Sequence, residues 1–445
     1  MQRRELLAGA IWTAASIQRV MGANDRVRLG LIGCGGRGRY VGNFMSQAPN
    51  VEFVAVCDVH EPSARKAREW AGAQATQYAD MRKLLERKDV DAVLVATPDH
   101  WHANATVAAC QAGKDVYVEK PLAHNIREGR AMVRAARAHN RIAQVGTQQR
   151  SAPHFAECAR IVQSGELGEV HFVRVWNFMS LYPKGIGRAE DSEPPAGLDW
   201  DYYLGPAPKR PFNPLRFKST FRWYWDYAGG LITDFGTHRF DTVHEIMGET
   251  QPKTAASSGR RYSMRDGGEM PDSMQVIYEY PGFVMSYECS TLNSHGLGGR
   301  TQGMKYYRMR TPEDRPHGMA FYGTNGALFA DRVGYEVYPE PVDEQANFVP
   351  AAATAYRMQR KTVPASDATS LHARKFIENI RARKTPDADI EIGHRGTLIG
   401  HLGNIALKTG LKLRWNSETE DFENQPEASA LLWREPRKPY DWITL

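Results

Sequence analysis

The stretch Val27-Arg28-Leu29-Gly30-Leu31-Ile32-Gly33-Cys34-Gly35-Gly36-Arg37-Gly38 runs a short apolar segment directly into a GxGxxG turn. Such a turn needs its first glycine for the bend and its second so that backbone can approach a pyrophosphate. The third lets the following helix pack on the strand, and that helix offers free N–H groups and partial positive charge to phosphates. Further along, a second apolar strand, Val51–Cys57, ends in Asp58, about twenty residues beyond the last glycine. An acid there accepts hydrogen bonds from ribose hydroxyls and repels a 2′-phosphate, so NAD is expected rather than NADP.

Beyond Asp58, helical spacing over Pro62–Gly72, Met81–Lys88, His102–Gly113 and Ile126–Asn140 alternates with strands at Val90–Ala96, Asp115–Val118 and Ile142–Gly146. Repeated units of this kind predict an α/β fold with a doubly wound parallel sheet and right-handed crossovers. Ligands of such sheets lie at the carboxyl ends of the strands. The polar clusters that end up there make Gly33, Gly35, Arg37, Gly38, Asp58, Thr97, Pro98, His102, Glu119, Lys120 and Gln148 the candidate cofactor contacts.

With 445 residues the chain can bury two ordinary cores. Lysine and arginine (57) are interspersed with 51 acids and form no basic tract, so no nucleic-acid partner is expected. Five cysteines without CxxC spacing argue against a disulfide framework or zinc site. His100, His102 and His238 lack cysteine or carboxylate partners at ligand spacing, so no metal is expected. Arg3-Arg4-Glu5-Leu6-Leu7 and the apolar run Ala8–Ile17 resemble a twin-arginine export segment, which implies a periplasmic enzyme. The run is too short to span a bilayer, so no membrane partner is expected. The competing reading is an ordinary N-terminal helix of a cytoplasmic protein. The expected organisation is an N-terminal extension over 1–25 and a dinucleotide domain over 26–150. A substrate and oligomerisation domain then covers 151–390, with a C-terminal helix and tail over 391–445.

The phrases Ala96-Thr97-Pro98, His102, Ala112-Gly113-Lys114 and Glu119-Lys120-Pro121 resemble the glucose–fructose oxidoreductase, inositol dehydrogenase and rhizopine-catabolism (Gfo/Idh/MocA) family. The likeness extends to Gly229-Gly230, to Asp234, Gly236, His238 and Asp241, to Phe321–Gly326 and to Gly393-His394-Arg395. It implies a Rossmann domain followed by an α/β domain on a large, mostly antiparallel, open-faced sheet, with the C-terminal helix packed back on the first domain. It also implies that Lys120 is the partner of the reacting oxygen, and that Asp234 and His238 face the substrate, the histidine exchanging the hydroxyl proton.

Read as residues, a strand-end lysine beside a nicotinamide site can hydrogen-bond a substrate hydroxyl, while Glu119 binds the ribose or tunes the lysine. A surface pair of the two is the bland reading. Asp234, His238 and Asp241 share one face at helical spacing, and an aspartate one turn from a histidine can share its proton. Such a pair equally suits a helix surface. In Phe221–Tyr227, Trp223, Tyr224 and Trp225 suit sugar faces and core packing alike, and Trp101 is a further candidate for the pocket wall. Arg150 reads either as a substrate contact or as an ion pair locking two domains. The proline-rich stretch Tyr182–Pro214 reads as a lid or subunit contact, and an open sheet face predicts a homodimer or homotetramer.

These residues predict an NAD-dependent oxidoreductase moving hydride between nicotinamide and a ring hydroxyl carbon of a sugar, polyol or sugar derivative. The alternative that the resemblance implies is an NAD-retaining glycoside hydrolase, lyase or sugar–sugar oxidoreductase that oxidises a sugar carbon transiently. A third class is a non-catalytic sensor on the same fold.

Overall fold

A computed structural model describes residues 26–248, 251–293, 315–343 and 354–443. The segment bearing the twin arginines lies outside the described residues.

Six strands form the first sheet: β1 (Val27–Ile32), β2 (Val51–Cys57), β3 (Thr76–Tyr78), β4 (Ala92–Val95), β5 (Asp115–Val118) and β6 (Ala143–Val145). Their order is β3-β2-β1-β4-β5-β6 and every pairing is parallel. Helices α1 (Gly36–Met45), α2 (Glu61–Ala71), α3 (Met81–Leu85), α4 (Asp99–Gln111) and α5 (Ile126–Ala138) connect them. The central strands are buried throughout, which accounts for the unbroken apolar runs. Edge strand β3 has only three residues, too few for its pattern to stand out.

Helix α4 begins three residues earlier than its spacing suggested. Pro98 takes the extended conformation that precedes a helix, and Asp99 puts negative charge in the first turn. His100, Trp101 and His102 are therefore helical and buried, not part of an exposed loop.

After α6 (Pro153–Gln163) comes a ten-stranded sheet. Its strands are β7 (Val170–Phe178), β8 (Thr254–Arg260), β9 (Ser273–Glu279), β10 (Val284–Ser290), β11 (His317–Gly323), β12 (Gly326–Ala330), β13 (Gly334–Pro339), β14 (Lys361–Pro364), β15 (Leu413–Asn416) and β16 (Asp421–Phe422). Their order is β14-β13-β12-β11-β7-β10-β9-β8-β15-β16, and β7 with β10 is the parallel pair in an otherwise antiparallel ladder. Between β7 and β8 lie α7 (Trp200–Leu204), α8 (Leu231–Asp234) and α9 (Gly236–Met247); α10 (Ala368–Ala382) and α11 (Ile390–Thr409) follow β14. Helices α6, α9 and α11 bury Phe155, Phe240, Leu402 and their neighbours against one face of this sheet.

Two features join the sheets. In α11, Gly393 leaves room for Val145 of β6, where an added Cβ would sit 2.4 Å from a valine methyl, while the Ile399 carbonyl accepts from the Tyr278 hydroxyl of β9 at 2.8 Å. The stretch Tyr182–Pro214 is a belt within the chain. Asp199 N donates to Val59 O at 3.0 Å, and Glu61 N to Gly197 O at 2.7 Å. Tyr202 Oη donates to Asp80 at 2.9 Å, and Trp101 Nε1 to Tyr203 O at 2.9 Å. These bonds seat the belt on the segments that follow β2, β3 and β4. Among the described residues no helix is long and apolar enough to cross a membrane.

Candidate active site

The loop after β5 carries Glu119-Lys120-Pro121, and it is braced from α4. His102 Nδ1 lies 2.7 Å from Pro121 O and its Nε2 lies 3.0 Å from Thr97 O. His102 thus sits between two carbonyls, to one of which its single ring N–H donates, and it positions the loop. Lys120 then reaches across to the second domain. Its Nζ lies 2.5 Å from Asp234 Oδ1 and donates to Asp234 O at 2.9 Å.

Asp234 ends α8, and a break at Phe235 separates it from α9, so Asp234 and His238 do not share one continuous helix. The other Asp234 oxygen pairs with Arg222 Nε at 3.1 Å. Burial pushes the Asp234 carboxyl up, but Lys120 and Arg222 outweigh it and hold it below the usual carboxylate range. The carboxylate thus serves two cations and does not orient His238. Among the described residues His238 Nδ1 is buried without a partner. Burial, then the charges of Arg332, Lys120, Arg239 and Arg37, hold the imidazole well below its ordinary value, so it is neutral. Asp241 turns elsewhere, to a buried ion pair with Arg150 Nε at 2.8 Å. That pair matches one of the two readings of Arg150, the interdomain lock.

The turn Gly33–Gly38 tests the fit of a dinucleotide. Gly33 has φ of +91°, and a Cβ on it would lie 2.5 Å from the Ala96 carbonyl carbon. A Cβ on Gly38 would lie 2.4 Å from Gly33 O, whereas Gly35 and Gly36 face open space. No side chain caps α1, so its first-turn N–H groups are left for a ligand. Asp58 accepts from Cys34 N at 2.7 Å and His60 N at 2.8 Å, which ties the turn to the end of β2. Arg37 Nε donates to Glu119 Oε1 at 2.7 Å. Buried polar atoms without partners among the described residues include Arg37 Nη2, Thr97 Oγ1, Thr147 Oγ1 and Gln148 Oε1. All stand at or beside strand carboxyl ends, and a ligand rich in hydroxyls and phosphates would satisfy them.

The aromatic candidates divide differently. Trp101 is buried under the belt and the C-terminal tail, with Tyr202, Tyr440 and Trp442 rings within 5.6 Å, so it is a packing residue and not a pocket wall. Tyr224 is buried beneath the Arg216 guanidinium at 4.3 Å, and Trp225 lies under Lys408 Nζ at 4.0 Å. Tyr224 also lines a cavity with Arg188, Asn213, Leu215, Arg216 and Asp266, and Trp225 is half-buried. Trp223 is half-buried and lines a narrow cleft with Leu181, Met264 and Met270. Two residues of the charged cluster lie in stretches the sequence marks but were not singled out as site residues. Arg222 was masked by the rings around it. Asp99 is 6% exposed and lies in the field of Arg222, Asp234 and Lys120; an acid following Thr97-Pro98 was the available hint. Among the described residues no group of three His, Cys, Asp or Glu could hold a metal.

Residues 27–147 match the model described as the oxidoreductase family, NAD-binding Rossmann fold. Residues 153–257 and 209–403 match two models of its C-terminal alpha/beta domain. An uncharacterized oxidoreductase of Bacillus subtilis is 28% identical over 221 residues, 49% of this chain and 53% of that protein, so the chain spans about half the length of that relative. Myo-inositol 2-dehydrogenase of Thermotoga maritima is 23% identical over 86% of this chain and 96% of its own. The WlbA dehydrogenase of Bordetella pertussis, solved with NADH and UDP-GlcNAcA, shares the fold with a TM-score of 0.62 at 17% identity, covering 88% of this chain and 99% of that one. With a glycine turn shaped for pyrophosphate and a lysine reaching from the first sheet to the second, the chain belongs to the Gfo/Idh/MocA family of NAD-binding oxidoreductases.

Proposed function

We propose that the protein transfers hydride between a ring hydroxyl carbon of a sugar, polyol or sugar derivative and NAD. The observation that carries this reading is the contact of Lys120 Nζ with Asp234 Oδ1 at 2.5 Å, which joins the cofactor domain to the second domain beside a neutral histidine. Lys120 donates a hydrogen bond to the substrate oxygen and stabilises the charge that develops there. Asp234, paired through its other oxygen with Arg222, holds the ammonium in place. His238, with Nδ1 free, receives the hydrogen bond of the reacting hydroxyl. When bound, NAD supplies the hydride acceptor. Gly35, the α1 N-terminus, Asp58, Arg37, Thr97, Pro98, Glu119 and Gln148 are the residues that hold it, and Trp223 borders the substrate. The inositol dehydrogenase among the relatives supports a polyhydroxylated ring as substrate.

Incubating purified protein with NAD and a panel of aldoses, inositols and aryl glycosides tests the reading. Rising absorbance near 340 nm with one of these compounds is expected. Cleavage of an aryl glycoside with co-purified cofactor and no net NADH would replace it with the redox-cycling alternative. Arg3-Arg4 and the apolar run after them support export by the twin-arginine route. Exposed Ile277 and Val284 support burial of the open sheet in a homo-oligomer.

A further inference from the structure

The segment that follows the belt is fixed at both ends of the cofactor cleft. At one end the Phe217 ring lies edge to face with the His60 ring, centroids 5.3 Å apart, and 5.2 Å from the Tyr203 ring. His60 stands two residues beyond Asp58, at the end of β2. At the other end Arg222 Nε meets Asp234 Oδ2 at 3.1 Å, and Asp234 holds Lys120 of the loop after β5. One 3-10 helix, Lys218–Trp223, joins the two anchors. In the sheet, β1 and β4 lie between β2 and β5. The three strand spacings from β2 to β5 amount to about 14 Å. Five residues of 3-10 helix rise about 10 Å, and the Phe217 and Arg222 side chains cover the remainder. The segment therefore crosses the carboxyl ends of β1 and β4, where the strand order reverses and a dinucleotide lies.

Lys218 is the unusual residue of this crossing. Its φ is +55°, a left-handed conformation that lysine rarely adopts, and strain of this kind gathers at ligand clamps. Its ammonium is exposed, stands 5.4 Å from the Phe217 ring centroid and joins no ion pair among the described residues. Among those residues, too, no hydrogen bond ties Lys218–Phe221 to the glycine turn or to Thr97. The buried Arg37 Nη2 and Thr97 Oγ1, without partners among the described residues, belong to the opposite wall of the cleft.

We propose that Phe217–Arg222 is the second domain's half of the dinucleotide site. It lies across bound NAD on the side away from the glycine turn. Phe217 closes the adenosine end, Lys218 gives its ammonium to the pyrophosphate, and Arg222 closes the nicotinamide end. Arg37 and Lys120 have their charges matched by Glu119 and Asp234, whereas the charge of Lys218 is unmatched. The assignment rests on the NAD-binding first domain and is independent of which sugar is oxidised.

ADP-ribose, which carries the pyrophosphate but no nicotinamide, probes this without any turnover. In calorimetry on the nucleotide-free full chain, Lys218→Glu should bind it with a dissociation constant about tenfold above the wild type. The melting temperature should not change, because the side chain is exposed. Affinity should also fall less steeply with added salt in the variant. Amide hydrogen exchange over residues 217–223 should slow when ADP-ribose binds the wild type. Phe217→Ala, which unties the segment from His60, should release NADH about tenfold faster in stopped flow. Wild-type affinity in Lys218→Glu, or exchange over 217–223 that ignores ADP-ribose, overturns the proposal and leaves the first domain as the whole cofactor site. A wild type that binds neither ADP-ribose nor NADH overturns the cofactor site beneath it.

Discussion

Arg37 Nε donates to Glu119 Oε1 at 2.7 Å, which links the glycine turn to the residue preceding Lys120. The glutamate is 5% exposed and the arginine 34%, so the acid depends on the pair more than the base does. Arg37→Ala is expected to cost about 1–3 kcal/mol of stability by leaving a buried acceptor unmet. It should also weaken NADH binding by about tenfold, equivalent to about 1.4 kcal/mol. Urea denaturation and NADH fluorescence titration measure the two; unchanged stability would show that the pair contributes nothing.

The glycines of the turn should fail in opposite ways. Gly35→Ala points a methyl into open space at an ordinary φ of −64°, so its melting curve should match the wild type while NAD binding is lost. Gly38→Ala drives a methyl against Gly33 O and should lose about 1–3 kcal/mol from overpacking. Full NAD affinity in Gly35→Ala would place the pyrophosphate elsewhere.

Lys120→Ala and His238→Ala should each lower turnover by about a hundredfold with NAD affinity little changed. Steady-state rates beside equilibrium titration separate the two effects. A loss of NAD binding that matches the loss of rate would assign these side chains to the cofactor site alone.

Asp58→Ser should relax discrimination against NADP, since the acid that repels a 2′-phosphate is removed. The same carboxylate receives the N–H groups of Cys34 and His60, so NAD affinity should fall as well. The ratio of the two dissociation constants is the test, and an unchanged ratio removes Asp58 from the ribose site.

Arg150→Ala should destabilise the fold by about 3–5 kcal/mol by taking one cation from the buried Asp241 carboxylate. KM for the sugar that turns over should stay within experimental scatter. A large rise in KM with normal stability would return Arg150 to the substrate pocket.

By itself the sequence determined the Rossmann half: apolar runs, glycine spacing and Asp58 are neighbours along the chain, and their meaning depends on contacts within a few residues. It also marked Lys120, Asp234 and His238 as the residues of interest. Tertiary structure alone decided how they pair. Lys120 and Asp234 are 114 positions apart, and their meeting requires α11 and the belt to dock the two sheets. The same docking buried Trp101 among Tyr202, Tyr440 and Trp442, gave Asp241 to Arg150, and brought Arg222 to the ion pair. Side-chain periodicity reports which face is apolar; which charge lies opposite it depends on the geometry of another part of the chain.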